Sequence, residues 1–386
     1  MAIQEAFQPA YDDVEIRIFR NYEEDFVGEI STPSGTESCR LDAPPIDDLS
    51  NEFDPKKYGL KLFSWLFRED LLKAFYRVRW ESAGLSASAG LPSAGVRLRL
   101  WLDPKINDLH RLWWEAMIDP RTEDPLCLDM AFSRFLRVKK PRGWPITERP
   151  LRMLSIVSNP AGLERFDLPS IDLSLETRII DTAAEQARGF LKYEALSSLP
   201  TPSQVREELG KGYHILHILS HALKIDDRYS LLLSDDDGKA LVVPIDKMRE
   251  IIESLSSEAP YFVFLATPMK ADETTGEALV GFAPQLVTAG IQAVLAIQAG
   301  MDDDTLRLFT ERFYNTLIRT GSVDTAMSVA RSALYYYRPE SWQWAFPVLY
   351  MRSPDGQLFQ PLSGNLEAQV RKIEGFSKGP ADSETR

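Results

Sequence analysis

The stretches YHILHILS (residues 213–220) and YFVFLAT (261–267) decide the fold. Both are near-continuous apolar runs of Ile, Leu, Val and Phe, without the apolar/polar alternation of a half-buried strand. Runs of this length and composition predict strands buried on both faces, as in a parallel sheet covered by helices. Working outward, four more runs read as strands: RMLSIVS (152–158), GFLKYEAL (189–196), IQAVLAIQ (291–298) and FPVLYMR (346–352). Helical spacing fills the intervals, at about 174–187, 202–210, 244–256, 277–289, 303–319 and 323–336. Strands alternating with helices predict an α/β fold with a mostly parallel, doubly wound sheet and helices on both faces.

Upstream of residue 150 the pattern differs. Residues 31–55, rich in Ser, Pro and Asp, read as a loop between a short strand pair and a helix over about 57–79. The small-residue stretch 82–95 precedes VRLRLWL, where Val96, Leu98 and Leu100 mark one face of a strand, and NDLHRLWWEAM reads as an amphipathic helix. The Pro-rich KKPRGWPITERP bridge is the best boundary. The expected organisation is an α+β region over 1–145, an α/β domain over 150–362, and a flexible tail over 363–386 that lacks sustained periodicity.

Composition excludes several classes. The chain has 386 residues, 44 basic against 57 acidic, and a formal net charge of −13. That charge repels phosphate backbones and argues against nucleic acid as the main partner, the basic RVKKPRG cluster (137–143) reading as a solvated loop. No apolar run approaches the length needed to cross a bilayer, and the N-terminus lacks a basic region followed by an apolar core, so neither a membrane span nor a secretory leader is expected. With only Cys39 and Cys127, no disulfide framework is possible. A reducing, cytoplasmic setting is expected.

In open parallel sheets, chemistry collects beyond the carboxyl ends of the strands. Two loops there stand out, one opening with His221 and Ala222, the other containing Pro268 after Thr267. A histidine beside a thiol at neighbouring strand ends would form a nucleophile–base dyad.

The ordered series HILHILSHA, YSLLLSDDDGKALVVP, PYFVFLATP, GFAPQLVTAGIQAVLAIQAGMDDDTLRLFTERFYNTLIRTG and DTAMSVARSALYYYRPESWQWAFPVLYMRSPDGQLF resembles the CHAT domain, a relative of caspases and separases. Upstream, YGLKLFSWLF and LHRLWWEAMIDP resemble the region that often precedes it, with Trp113 where a Pro-Trp-Glu motif would have proline. The resemblance implies a caspase-like fold, a protein or peptide partner, no cofactor and no metal, and a setting in bacterial conflict or cell-death signalling.

It also implies site residues. His221 takes the position of the general base, and Pro268 falls where the family has its cysteine. Proline offers neither a nucleophile nor a backbone N–H, so a chain with this residue at that position binds without cutting. Ala222 replaces the glycine that follows the family's histidine. Thr267 precedes the nucleophile position, and strand alternation turns it to the other face. Asp226, Asp227 and Asp302 are candidates for cleft charge, although a carboxylate opening a helix at Asp302 to Asp304 also suits capping. His214 and His217 read as strand-packing residues, and a zinc site from His217 and His221 would need further ligands. Trp342, Trp344 and Tyr335 to Tyr337 read as packing of the last strand, with an exposed partner surface as the alternative. An active endopeptidase whose cysteine had been substituted is the rival reading; Ala266, the nearby alanine, falls two residues early in a gapless alignment. Oligomeric state is not legible.

Overall fold

The computed structural model describes residues 11–89, 95–140, 143–187, 189–196, 199–226, 228–266 and 273–362. The chain forms two compact units, residues 1–138 with 327–352, and residues 139–326 with 353–386.

In the first unit, strands β1 (Asp12–Arg20), β2 (Phe26–Thr32), β3 (Gly35–Leu41), β4 (Val96–Leu102), β5 (Ala131–Phe135) and a late strand (Pro347–Met351) lie in the order β3, β2, β1, β4, β5, late strand. The β1–β2 and β2–β3 pairs are antiparallel, and the others are parallel. Val14, Ile16 and Ile18 are fully buried at two-residue spacing, which fixes one face of β1. β3 arises within the Ser- and Pro-rich stretch expected to be loop. Its turn is set by Thr32, whose hydroxyl accepts from Ser34 N and donates to the carbonyl of Gly35. Being polar and largely exposed, β3 carries no apolar alternation to reveal it.

Helices α1 (Ile46–Ser50), α2 (Pro55–Leu66), α3 (Glu69–Ala89), α4 (Asn107–Arg111) and α5 (Leu126–Asp129) complete this unit, together with part of the helix Val323–Tyr337. Asp54 caps α2 by accepting from Lys56 N and Lys57 N, with Pro55 opening the helix. The single helix expected over 57–79 is broken at Phe67 and Arg68. Phe67 turns inward there, its ring 4.5 Å from that of Phe63 and 4.3 Å from that of Phe75. The amphipathic helix expected from NDLHRLWWEAM also breaks, into α4 and a 3₁₀ turn over Trp114–Ala116. The Arg134 guanidinium donates to the carbonyls of His110 and Leu112 while pairing with buried Glu115 at 2.7 Å, drawing the backbone out of helical register.

The second unit holds a five-stranded sheet. Its strands are β6 (Leu151–Val157), β7 (Leu191–Leu196), β8 (Ile215–Leu219), β12 (Phe262–Ala266) and β13 (Ala293–Ile297), the numbers between belonging to a smaller sheet of β9 (Ala222–Ile225), β10 (Arg228–Ser234) and β11 (Ala240–Pro244). The order is β13, β12, β8, β6, β7, every neighbour parallel. The strand Pro347–Met351 is then β14. Every residue of β8, β12 and β13 is buried, so both faces are covered, as the apolar runs predict. Helices α6 (Leu173–Gln186) and α10 (Asp303–Thr320) pack together, as do α8 (Ile245–Ser254) and α9 (Glu273–Ala289), with α7 (Pro202–Leu209) against α8; Val323–Tyr337 is α11. This is the α/β architecture expected from the sequence. Among the described residues no helix is long and apolar enough to cross a membrane.

The antiparallel β9–β10–β11 sheet packs on α9. Tyr229 lies over Gly281 of α9 so closely that a Cβ there would fall 2.1 Å from the ring. Leu223, Leu232, Ala240 and Val242 pack with Leu163, Phe166 and Leu168 of the segment following β6.

Candidate functional site

The site forms where β6 and β8 end. β8 terminates at Leu219, and His221 comes after one residue, before Ala222 starts β9. Two buried hydroxyls shape this corner. Ser220 Oγ lies 2.7 Å from Leu232 O and 2.9 Å from His221 O, and Ser158 Oγ donates to Leu232 O at 2.9 Å. The backbone of Leu232 also donates to His221 O at 2.9 Å. The carbonyl of His221 is thereby fixed, and its ring direction with it.

His221 is fully buried, and its Nε2 lies 2.7 Å from the carbonyl oxygen of Pro169. A carbonyl only accepts, so Nε2 carries a proton directed at Pro169. That hydrogen bond anchors the ring by its Nε2 side.

Pro169 is itself held. The segment carrying it starts at Ser158, whose N–H donates to Leu219 O, and Asn159 Oδ1 accepts from Ile171 N at 3.0 Å. Ala161 donates to Gly238 O and accepts from Ala240 N, adding a bridge to the edge of the small sheet. Gly162 takes a left-handed φ of 88° before the 3₁₀ turn Leu163–Phe166, and the apolar packing of that turn on β10 and β11 completes the clamp. Neither Pro169 nor the two serines stands out in the sequence. A backbone carbonyl carries no residue-type signature, and Ser158 and Ser220 look like ordinary ends of apolar strands.

The other expected residues fall in several places. In the sheet, β12 lies beside β8 with Ala266 opposite Leu219, two residues short of His221. Thr267, Pro268 and Asp227 lie outside the described residues. Ala222 is buried and pairs with Leu231. Asp226 forms the exposed turn between β9 and β10, with a φ of 48°. Asp302 is the N-cap of α10, accepting from Thr305 N at 3.0 Å. His214 Nδ1 accepts from Arg152 N at 3.0 Å. His217 sits in the core with Nδ1 2.8 Å from Tyr314 Oη and its ring against Phe264, and burial lowers its pKa to about 3.

Both cysteines belong to the first unit. Cys127 is buried in α5, where desolvation pushes its thiol up to about 12. Cys39 is half-buried in β3 with its thiol also raised, chiefly by desolvation. A thiol is a nucleophile only as thiolate, and both environments oppose that form. Among the described residues no group of three His, Cys, Asp or Glu side chains could hold a metal. Of the late aromatics, Trp344 is buried against Tyr335, and Tyr336 is 83% exposed.

A histidine just past the carboxyl end of a strand in a helix-covered parallel sheet, with a second strand ending beside it, is the layout the sequence predicts. The CHAT domain model matches residues 56–352, and the chain belongs to that family. No curated protein sequence matches it. Among solved structures it is similar to the complex of RgpB pro- and mature domains from Porphyromonas gingivalis (12% identity, 69% of this chain and 57% of that one, TM-score 0.38). It is similar also to the Saccharomyces cerevisiae separase–securin complex (11% identity, 89% and 30%, TM-score 0.47) and to the Drosophila initiator caspase Dronc (8%, 58% and 95%, TM-score 0.32). The chain thus spans little more than half of the RgpB chain and under a third of the separase chain.

Proposed function

We propose that this CHAT protein recognises a protein or peptide partner without cleaving it, as a binding or regulatory module. What supports the reading is a strand-end histidine with no cysteine in the sequence that follows the neighbouring strand. His221 is anchored at its strand end, the sequence after β12 reads Thr267–Pro268–Met269, and the two cysteines of the chain lie in β3 and α5. We place it in the cytoplasm and in bacterial defence or cell-death signalling, on the strength of the family resemblance.

A second reading has an observation in its favour. Pro169 anchors the His221 ring through Nε2 as a working base is oriented, which suits an active endopeptidase whose nucleophile has been substituted. A thiol-reactive peptidyl ketone probe separates the two when applied to protein carrying the naturally encoded residues 266–268, with Cys39→Ser so that the half-buried thiol does not confuse the readout. The binding reading expects an unchanged intact mass. An adduct that requires His221 would refute it.

A further inference from the structure

The outer face of α11 carries no charge. From Val329 to Tyr337 the helix reads VARSALYYY. Its one charged residue, Arg331, is fully buried, the guanidinium donating to the carbonyls of Phe132 and Pro347. Val329 is 43% exposed, Tyr336 83% and Tyr337 49%, with Ser332 and Ala333 half-buried between them. At 3.6 residues per turn, Val329, Ser332, Ala333 and Tyr336 fall on one stripe about 100° wide. A solvent-facing stripe ordinarily carries charged and polar side chains, and 26% of this chain is charged. This stripe instead presents an aliphatic and an aromatic side chain to water.

The order of side chains along the stripe is self-complementary. Its midpoint falls between Ser332 and Ala333, with Val329 and Tyr336 equally spaced on either side. Two antiparallel α11 helices related by a twofold axis at that midpoint set Tyr336 of each copy over Val329 of the other. The small side chains at the crossing let the helix axes approach closely. Charge selects the same occupant. A chain with a formal net charge of −13 opposes its own approach, and on this stripe two copies can meet without bringing like charges together. A partner chosen by opposite charge would find nothing on the stripe to pair with.

We propose that α11 is a self-association surface through which two copies of this chain pair antiparallel, Tyr336 of one on Val329 of the other. One helix pair is at or below the small end of specific interfaces, which bury roughly 1,200–2,000 Å², so the dimer is weak and forms by mass action.

Sedimentation equilibrium on the full chain tests this. The unaltered protein is expected to pass from monomer towards dimer as its concentration rises through the micromolar range. Tyr336→Glu and Val329→Lys should each weaken association about tenfold or more, with circular dichroism checking that both remain folded. The two substitutions made in one chain should restore the dimer, because antiparallel packing brings the introduced opposite charges together across the axis. A monomer at every concentration would overturn the proposal. So would a dimer indifferent to Tyr336→Glu, or a double variant that associates no better than Val329→Lys alone.

Discussion

His221 Nε2–H donates a hydrogen bond to the carbonyl of Pro169 at 2.7 Å, inside a corner that leaves the imidazole fully buried. The chain has four histidines, so the tautomer can be read one ring at a time by ¹⁵N-imidazole correlation spectroscopy and assigned by loss of signals in His221→Ala. The expected pattern at neutral pH is the Nε2–H form. A ring protonated at Nδ1 alone would contradict the anchoring.

Acid should destabilise the second unit through His217. Burial holds its folded pKa near 3, far below the ordinary value of 6.5 that the unfolded chain regains. Between those values the unfolded state binds a proton that the folded state refuses, so stability falls as pH drops below 6.5, by about 1.4 kcal/mol per pH unit for one group. His110 and His214 are also lowered, chiefly by burial, and add to the slope in wild type. Denaturant midpoints from pH 7 to 4 should show His217→Phe with a slope shallower by one proton, whatever its stability at pH 7. An unchanged slope would rule out the assignment.

The fit of Tyr229 on Gly281 predicts a coupled pair. Gly281→Ala places a methyl into the ring and should cost about 1–3 kcal/mol, as overpacking does. Tyr229→Ala removes the clash, so Gly281→Ala made in that background should cost less than half as much by chemical denaturation. Equal costs in both backgrounds would mean that the ring is not packed as described.

Much of the α/β unit was legible because burial on both faces leaves an unmistakable record: YHILHILS and YFVFLAT admit no amphipathic alternative, and both became central strands. That His221 falls just past the end of β8 was legible for the same reason, since it follows from the strand's limits. The first unit was harder to read. β3 has no apolar face to write into sequence, Phe67 breaks a helix through ring contacts, and Arg134 captures carbonyls of a segment that would otherwise be helical. The partner of His221 was illegible because it is a backbone oxygen.

If residue 268 occupies the nucleophile position, a cysteine installed there should be activated by the anchored imidazole. Pro268→Cys is expected to react with iodoacetamide on the order of tenfold faster than Cys39, and to lose that advantage with His221→Ala. Circular dichroism would check that the fold is retained. A thiol at 268 that reacts no faster than Cys39, and does so regardless of residue 221, would refute the alignment.

The claim that this protein binds and does not cut is tested most directly by its own catalysis. The unaltered chain and His221→Ala should be incubated side by side with a proteome-derived peptide library, and new termini counted by mass spectrometry. A protein that only binds will show no cleavage above background in either sample. Cleavage by the unaltered chain that disappears with His221→Ala would contradict the claim.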